Sequence, residues 1–357
     1  MSGRLQTALT PSAGFFQARD RSLVAAVWLF AVAMAVAALV VVGGATRLTG
    51  SGLSITQWKP LTGAFPPMSA AAWADAFHRY QATTQYQLVN RGMSLAAFKS
   101  IFWWEWVHRL LARGVGILFA APFAALLVAR RLPGRLVWPC IALLALGGLQ
   151  GLVGWWMVTS GLEGRLAVAP ERLAMHLGLA LALMCALIWT ALEAWAGLAS
   201  PTQPRRGAWR LASAVFAAGV FLQCLLGALV AGNQAGLTNN DWPLMSGRLL
   251  PADYWQGALW TTLAHGAAAV QFNHRLLAYG LLILALALAI GGWRSRLAPR
   301  MLRILGLATA GIAAMQVALG VAVLISGVAL PLAMLHQAVA TILLADATIL
   351  AWRARRT

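Results

Sequence analysis

The chain has 357 residues, 61% of them hydrophobic and only 10% charged, against roughly 25% charged in a soluble domain. That composition excludes an ordinary water-soluble domain, so the formal net charge of +18 is read as loop charge that sets topology and meets anionic lipid, not as a nucleic-acid surface. Cys140, Cys185 and Cys224 all lie in apolar runs without CxxC spacing, which argues against a disulfide framework or a thiolate metal site.

The N-terminal tail is polar up to Arg21 and carries no small-residue cleavage pattern; no cleaved signal peptide is expected. Apolar runs then fall at about 24–44, 104–129, 136–158, 172–196, 209–231, 268–292, 302–325 and 331–352, each long enough to cross a bilayer core. Arginines alternate between the connections. They cluster at Arg4, Arg19 and Arg21, at Arg130, Arg131 and Arg135, and at Arg205, Arg206 and Arg210. Two further clusters are Arg294, Arg296, Arg300 and Arg303, and Arg353, Arg355 and Arg356. The positive-inside rule then predicts both termini in the cytoplasm and the long segments 45–103 and 232–267 outside. A short amphipathic helix is expected near 68–82 or 252–264.

The chain repeats itself. SGLSITQWKPL returns as AGLTNNDWPL, WEWVHR as VQFNHR, LQGLVGWWMVTSGL as MQVALGVAVLISGV, and LAMHLGLAL as LAMLHQAVA. The predicted fold is all-α and integral to the membrane. Eight spans form two repeated four-helix bundles, an N-terminal half over 1–200 and a C-terminal half over 201–357.

His108, His176, His274 and His336 fall one on each even-numbered span, toward the outer face. An ionisable residue inside a membrane is expensive and marks function. Four at matched depth in two repeated pairs outweigh four separate packing histidines. Zinc would want further ligands or a nearby carboxylate or thiolate; paired imidazoles in a bundle rich in Trp, Phe and Gly suit haem with axial ligation. Gly147, Gly148, Gly151, Gly154, Gly178 and Gly227 would permit close approach of helices or of a ring, or serve ordinary small-residue packing. His78 and His265, outside the repeat, read as surface or interfacial residues.

The halves differ beside the second-span histidine. Glu105 precedes His108 by three residues and shares its helix face, whereas Gln271 stands in that place before His274. Only the first half therefore has a group that can move protons, so it is expected to perform chemistry while the second holds a permanent electron-transfer haem. Glu105 can also pair with Arg109 or Arg113. Arg109 and Arg275, each following a histidine, are candidates for haem propionates or for snorkelling, with Arg47, Lys59, Arg165 and Arg248 as further exterior cations. Trp58 and Trp242, with neighbouring prolines, are expected in caps over the two sites.

GGATRLTGSGLS, EWVHR, QGLVGWWMVTSGL, RLAMHLGLAL, GALVAGNQAGLTNNDWPLMSGRLLP, VQFNHRLLAY and LHQAVAT together make the chain resemble the haem A synthase family, in its proteobacterial and mitochondrial form, over nearly its whole length. The resemblance implies an oxidoreductase that converts haem O to haem A, oxidising a ring methyl to a formyl group by two hydroxylations and loss of water, for cytochrome oxidase assembly. It implies haem b on His274 and His336, with Arg275 beside it, and substrate haem O between His108 and His176, with Arg109 beside it. Glu105 matches the family's essential acid. Partners implied are haem O synthase, cytochrome oxidase assembly factors, an unspecified electron donor and membrane lipid, in a bacterial inner membrane with the haem sites toward the periplasm. Some members carry exterior-loop cysteines; this chain has none there, so unstapled loops are expected. A di-haem electron-transfer cytochrome and a transporter are the competing classes.

Overall fold

The structure, a computed structural model, describes residues 21–197, 207–295 and 299–356. Of the arginines used to orient the chain, Arg4, Arg19, Arg205, Arg206 and Arg296 lie outside the described residues. Ten α-helices and no strands are found among the described residues. Eight are long and apolar enough to span a membrane. They are α1 (Leu23–Leu48), α4 (Leu95–Val128), α5 (Gly134–Leu162), α6 (Pro170–Ala196), α7 (Gly207–Gly232), α8 (Ala267–Arg294), α9 (Arg300–Ile325) and α10 (Leu330–Arg355). Between α1 and α4 lie two short helices, α2 (Ala70–Gln81) and α3 (Thr84–Leu88).

The boundaries follow local chemistry. Ser22, Ser69, Thr83 and Ser94 each accept a backbone N–H of the first turn of α1, α2, α3 and α4, satisfying donors that helix starts leave open. Pro170 opens α6 and Pro331 sits in the first turn of α10, where proline's missing N–H costs nothing. Gly197, at φ 70°, ends α6. All three cysteines are free, one each in α5, α6 and α7.

The second span departs from expectation. It was predicted to begin near residue 104, yet α4 starts at Leu95 and runs 34 residues, roughly 51 Å at 1.5 Å per residue against a hydrocarbon core of about 30 Å. The first turns of α4 are held by aromatic packing. Phe98 and Phe102 cluster with the buried Tyr80 of α2, and Lys99 lies 5.0 Å over the Trp73 ring. An amphipathic helix does form at 70–81. Residues 252–258 are not helical and only a short helical stretch follows, π-helical at Thr261–His265, because Pro251 and Gly257, at φ 87°, interrupt the segment.

Contacts between spans close two rings. One runs α1, α4, α5, α6 and back to α1; the other runs α7, α8, α9, α10 and back to α7. The rings meet through α6 on α7, α10 on α1, and α6 on α10. One apolar core, from Leu29 through Leu187 and Phe216 to Leu350, runs through both.

Candidate functional site

Each of the four histidines lies against a glycine of a neighbouring odd-numbered span. A Cβ built on Gly43 of α1 would stand 2.9 Å from Cε1 of His108, and one on Gly154 of α5 would stand 2.8 Å from that of His176. The same distances are 3.3 Å from Gly227 of α7 to His274 and 3.0 Å from Gly320 of α9 to His336. Any side chain at these positions would displace the imidazole. All four rings are half-buried. His108 and His176 are within electrostatic reach of each other, as are His274 and His336.

Glutamines hold three of the four rings. The Gln150 amide nitrogen lies 3.1 Å from Nδ1 of His176 and donates to its backbone carbonyl at 3.0 Å. Gln223 does the same for His274 at 3.0 and 2.9 Å. Gln316 reaches Nε2 of His336 at 3.4 Å. Every one of these glutamines stands four residues before the glycine that seats its histidine. At the fourth seat, Leu39 occupies that place before Gly43, and Nδ1 of His108 is buried without a partner.

Glu105 is 3% exposed and caged. One carboxylate oxygen accepts the Ser54 hydroxyl at 2.7 Å and the Ile55 backbone N–H at 2.8 Å; the other accepts Arg109 at 2.5 Å. A buried charge is tolerated only when paired and hydrogen-bonded in this way. In the second half Gln271 donates to the Asn239 carbonyl at 3.1 Å, so an amide there makes the loop contact made by a carboxylate here.

Arg109 donates to the carbonyls of Ile55 and Gln57, and Arg275 to those of Asn239, Asp241 and Leu244. Both guanidiniums thus tie the long segment between two spans down onto the bundle. Arg113 binds the carbonyls of Lys59 and Pro60 rather than Glu105, and Arg47 donates to Ala231 in the other ring of helices at 2.9 Å. Trp58 packs edge-on against Trp155, and Trp242 donates to the Tyr279 hydroxyl, so both cap residues touch the bundle beneath them. His78 is exposed on α2, and His265 faces Glu171 at 3.8 Å. Sequence reasoning missed the seats at Gly43 and Gly320, the three glutamines, and Ser54. The visible signal was Gln-x-x-x-Gly, recurring at 150–154, 223–227 and 316–320.

The residues fit haem. The imidazoles of each pair lie on separate helices within electrostatic reach, four glycines leave a cradle that a Cβ would fill, and ring nitrogens of His108 and His336 with amide oxygens of Gln150, Gln223 and Gln316 are buried and unpartnered. A ligating imidazole needs its second nitrogen oriented by such a group. No cluster of His, Cys, Asp or Glu suited to a bare metal ion occurs among the described residues.

Fold and site therefore define a polytopic membrane protein with four glycine-seated histidines, one on each even-numbered span. Residues 26–348 match the COX15-CtaA model, described as cytochrome oxidase assembly protein. The chain is 56% identical over 341 residues to the heme A synthases of Caulobacter sp. (strain K31) and Caulobacter vibrioides, covering 96% of this chain and 99% of each relative. It is 45% identical over 345 residues to the heme A synthase of Brucella anthropi, covering 95% of this chain and 93% of that one. The chain belongs to the COX15-CtaA family of cytochrome oxidase assembly proteins.

Proposed function

We propose that this protein is a haem A synthase that oxidises a ring methyl of haem O to the formyl group of haem A, for cytochrome oxidase assembly. The N-terminal half, 1–200, takes the substrate and the C-terminal half, 201–357, keeps a resident haem b. The observation that carries this division is the caged Glu105 beside His108, against the neutral Gln271 beside His274.

In this reading His274 and His336 hold haem b, which would supply one-electron redox chemistry there. His108, seated on Gly43, and His176, seated on Gly154, would hold the substrate haem. Glu105, on the His108 face of α4, is the base. It can take a proton as the methyl carbon is oxidised, and general-base chemistry of this kind contributes about 10²–10⁴-fold. Arg109 can release the carboxylate while still bonded to the Ile55 and Gln57 carbonyls, so the base can be protonated without losing the exterior loop. Arg109 and Arg275 lie one residue beyond a ligand and complete the polar rim on which propionates would rest. Both termini face the cytoplasm of a bacterial inner membrane, placing the sites toward the periplasm, as the described arginines of the connections opposite the histidines support. Haem O synthase is the expected donor of substrate; oxidase assembly factors are the expected recipients.

The test is haem extraction and chromatography from cells supplied with haem O. Glu105→Ala is expected to abolish haem A while the purified protein keeps its C-terminal haem. Normal haem A output from that variant sinks the catalytic assignment and favours a di-haem electron-transfer protein, which needs no such base. His274→Ala or His336→Ala should remove the resident haem, and His108→Ala or His176→Ala should leave it. Equal haem loss in all four contradicts the division of labour.

A further inference from the structure

We infer that Leu39 is the residue that makes the His108 site exchange its haem. The inference rests on the proposed division of the halves. The odd-numbered spans share one device, a glycine that seats an imidazole with a glutamine one turn earlier whose amide reaches that imidazole. Gln150, Gln223 and Gln316 supply it to His176, His274 and His336. At α1 the seat remains, with Gly43 2.9 Å from His108 by its absent Cβ, but the amide is replaced by Leu39. The corresponding positions in the repeat are Leu39–Gly43 and Gln223–Gly227, so the difference falls between a substrate ligand and a resident one.

A glutamine beside an imidazole restrains how the ring can turn, and its amide oxygen can accept Nδ1–H and so raise basicity toward iron; loss of such outer partners costs about 10–100-fold in metal affinity. Nδ1 of His336 is also unpaired, but Gln316 lies 3.4 Å from Nε2 of that ring; no amide reaches His108, whose Nδ1 is buried and unpaired. Its ring is located by the Gly43 seat alone and can turn without breaking a hydrogen bond. A resident haem needs two oriented ligands. A haem that must enter as substrate and leave as product needs one ligand that lets go, and Leu39 assigns that part to His108, with His176 as the held partner.

The experiment follows haem transfer from the purified full-length protein, loaded with haem O in detergent, to excess apomyoglobin. Wild type should show a fast phase from the His108–His176 site and a slow phase from His274–His336. Leu39→Gln should slow the fast phase about tenfold and raise haem retained per chain on purification, while Leu39→Met, apolar and of similar size, should behave as wild type. Gln223→Leu should speed the slow phase by a similar factor. His108→Ala separates the two levels of the argument. If it abolishes the slow phase in place of the fast one, the division of halves is wrong and the inference goes with it. If it abolishes the fast phase as stated, yet Leu39→Gln leaves that phase unchanged or Leu39→Met slows it equally, the role given to Leu39 is overturned.

Discussion

Ser54 governs how Glu105 is presented, because its hydroxyl and the next backbone N–H hold the same carboxylate oxygen. Ser54→Ala leaves a buried acceptor short of one donor and is expected to cost roughly 1–3 kcal/mol of stability, with slower haem A formation, while Ser54→Thr keeps the hydroxyl. Thermal melts and haem chromatography of the pair check this; an unchanged melt and full activity in Ser54→Ala would mean that the bond does not bear on the site. At the seats, Gly320→Val should displace His336 and strip the resident haem, read from the absorbance of the purified protein. The histidines and Glu105 were legible in the chain because polar groups inside a bilayer are rare and costly. Ser54 and the seats at Gly43 and Gly320 were not, since serine in a loop and glycine in a membrane helix each have an ordinary reading.

Among the elements, the long connecting segments before α4 and α8 are fixed to those helices by side chains that reach backbone carbonyls, the work of Arg109 and Arg275. Within the second segment, Asp241 accepts the N–H groups of Ser246 and Gly247 at 2.8 and 3.0 Å. The Gly247 bond first, then that of Ser246, hold its carboxyl below the usual aspartate range. A carboxylate lowered on folding stabilises the turn above its ordinary value, near 3.9, and that contribution disappears as pH falls through the lower folded value. Amide exchange at Ser246 and Gly247, corrected for intrinsic rates, should therefore lose protection only below about pH 4. Asp241→Ala should remove protection at every pH, and an unaltered profile in that variant would refute the account. The helical stretch at 70–81 was readable from its amphipathic pattern. The early start of α4 was not, because Lys99 and Ser100 interrupt the apolar run ahead of Ile101, and the helix there packs on Tyr80 and Trp73.

At the level of the molecule, the two rings of helices are locked beside the sites. Gln337, next to His336, donates to the Val40 carbonyl of α1 at 2.8 Å, and a Cβ on Gly44 would stand 1.6 Å from its side-chain oxygen. Adjacent glycines of α1 thus serve both rings, Gly43 seating His108 and Gly44 admitting Gln337. Gly44→Ala should expel Gln337 and destabilise the protein by about 1–3 kcal/mol, the usual penalty of overpacking, visible as a lowered melting temperature in detergent. A wild-type melt would show that the contact contributes little. By itself the sequence determined the eight apolar spans, the four histidines and the inequality of Glu105 and Gln271. Each of these rests on hydropathy or on residue identity along the chain. Only the tertiary structure decided which glycine seats which histidine, that Arg109 and Arg275 spend their donors on loop carbonyls, and that Gln337 crosses between rings. Such contacts depend on which helix faces meet, and residues far apart in the chain carry no local signature of the partner they will find.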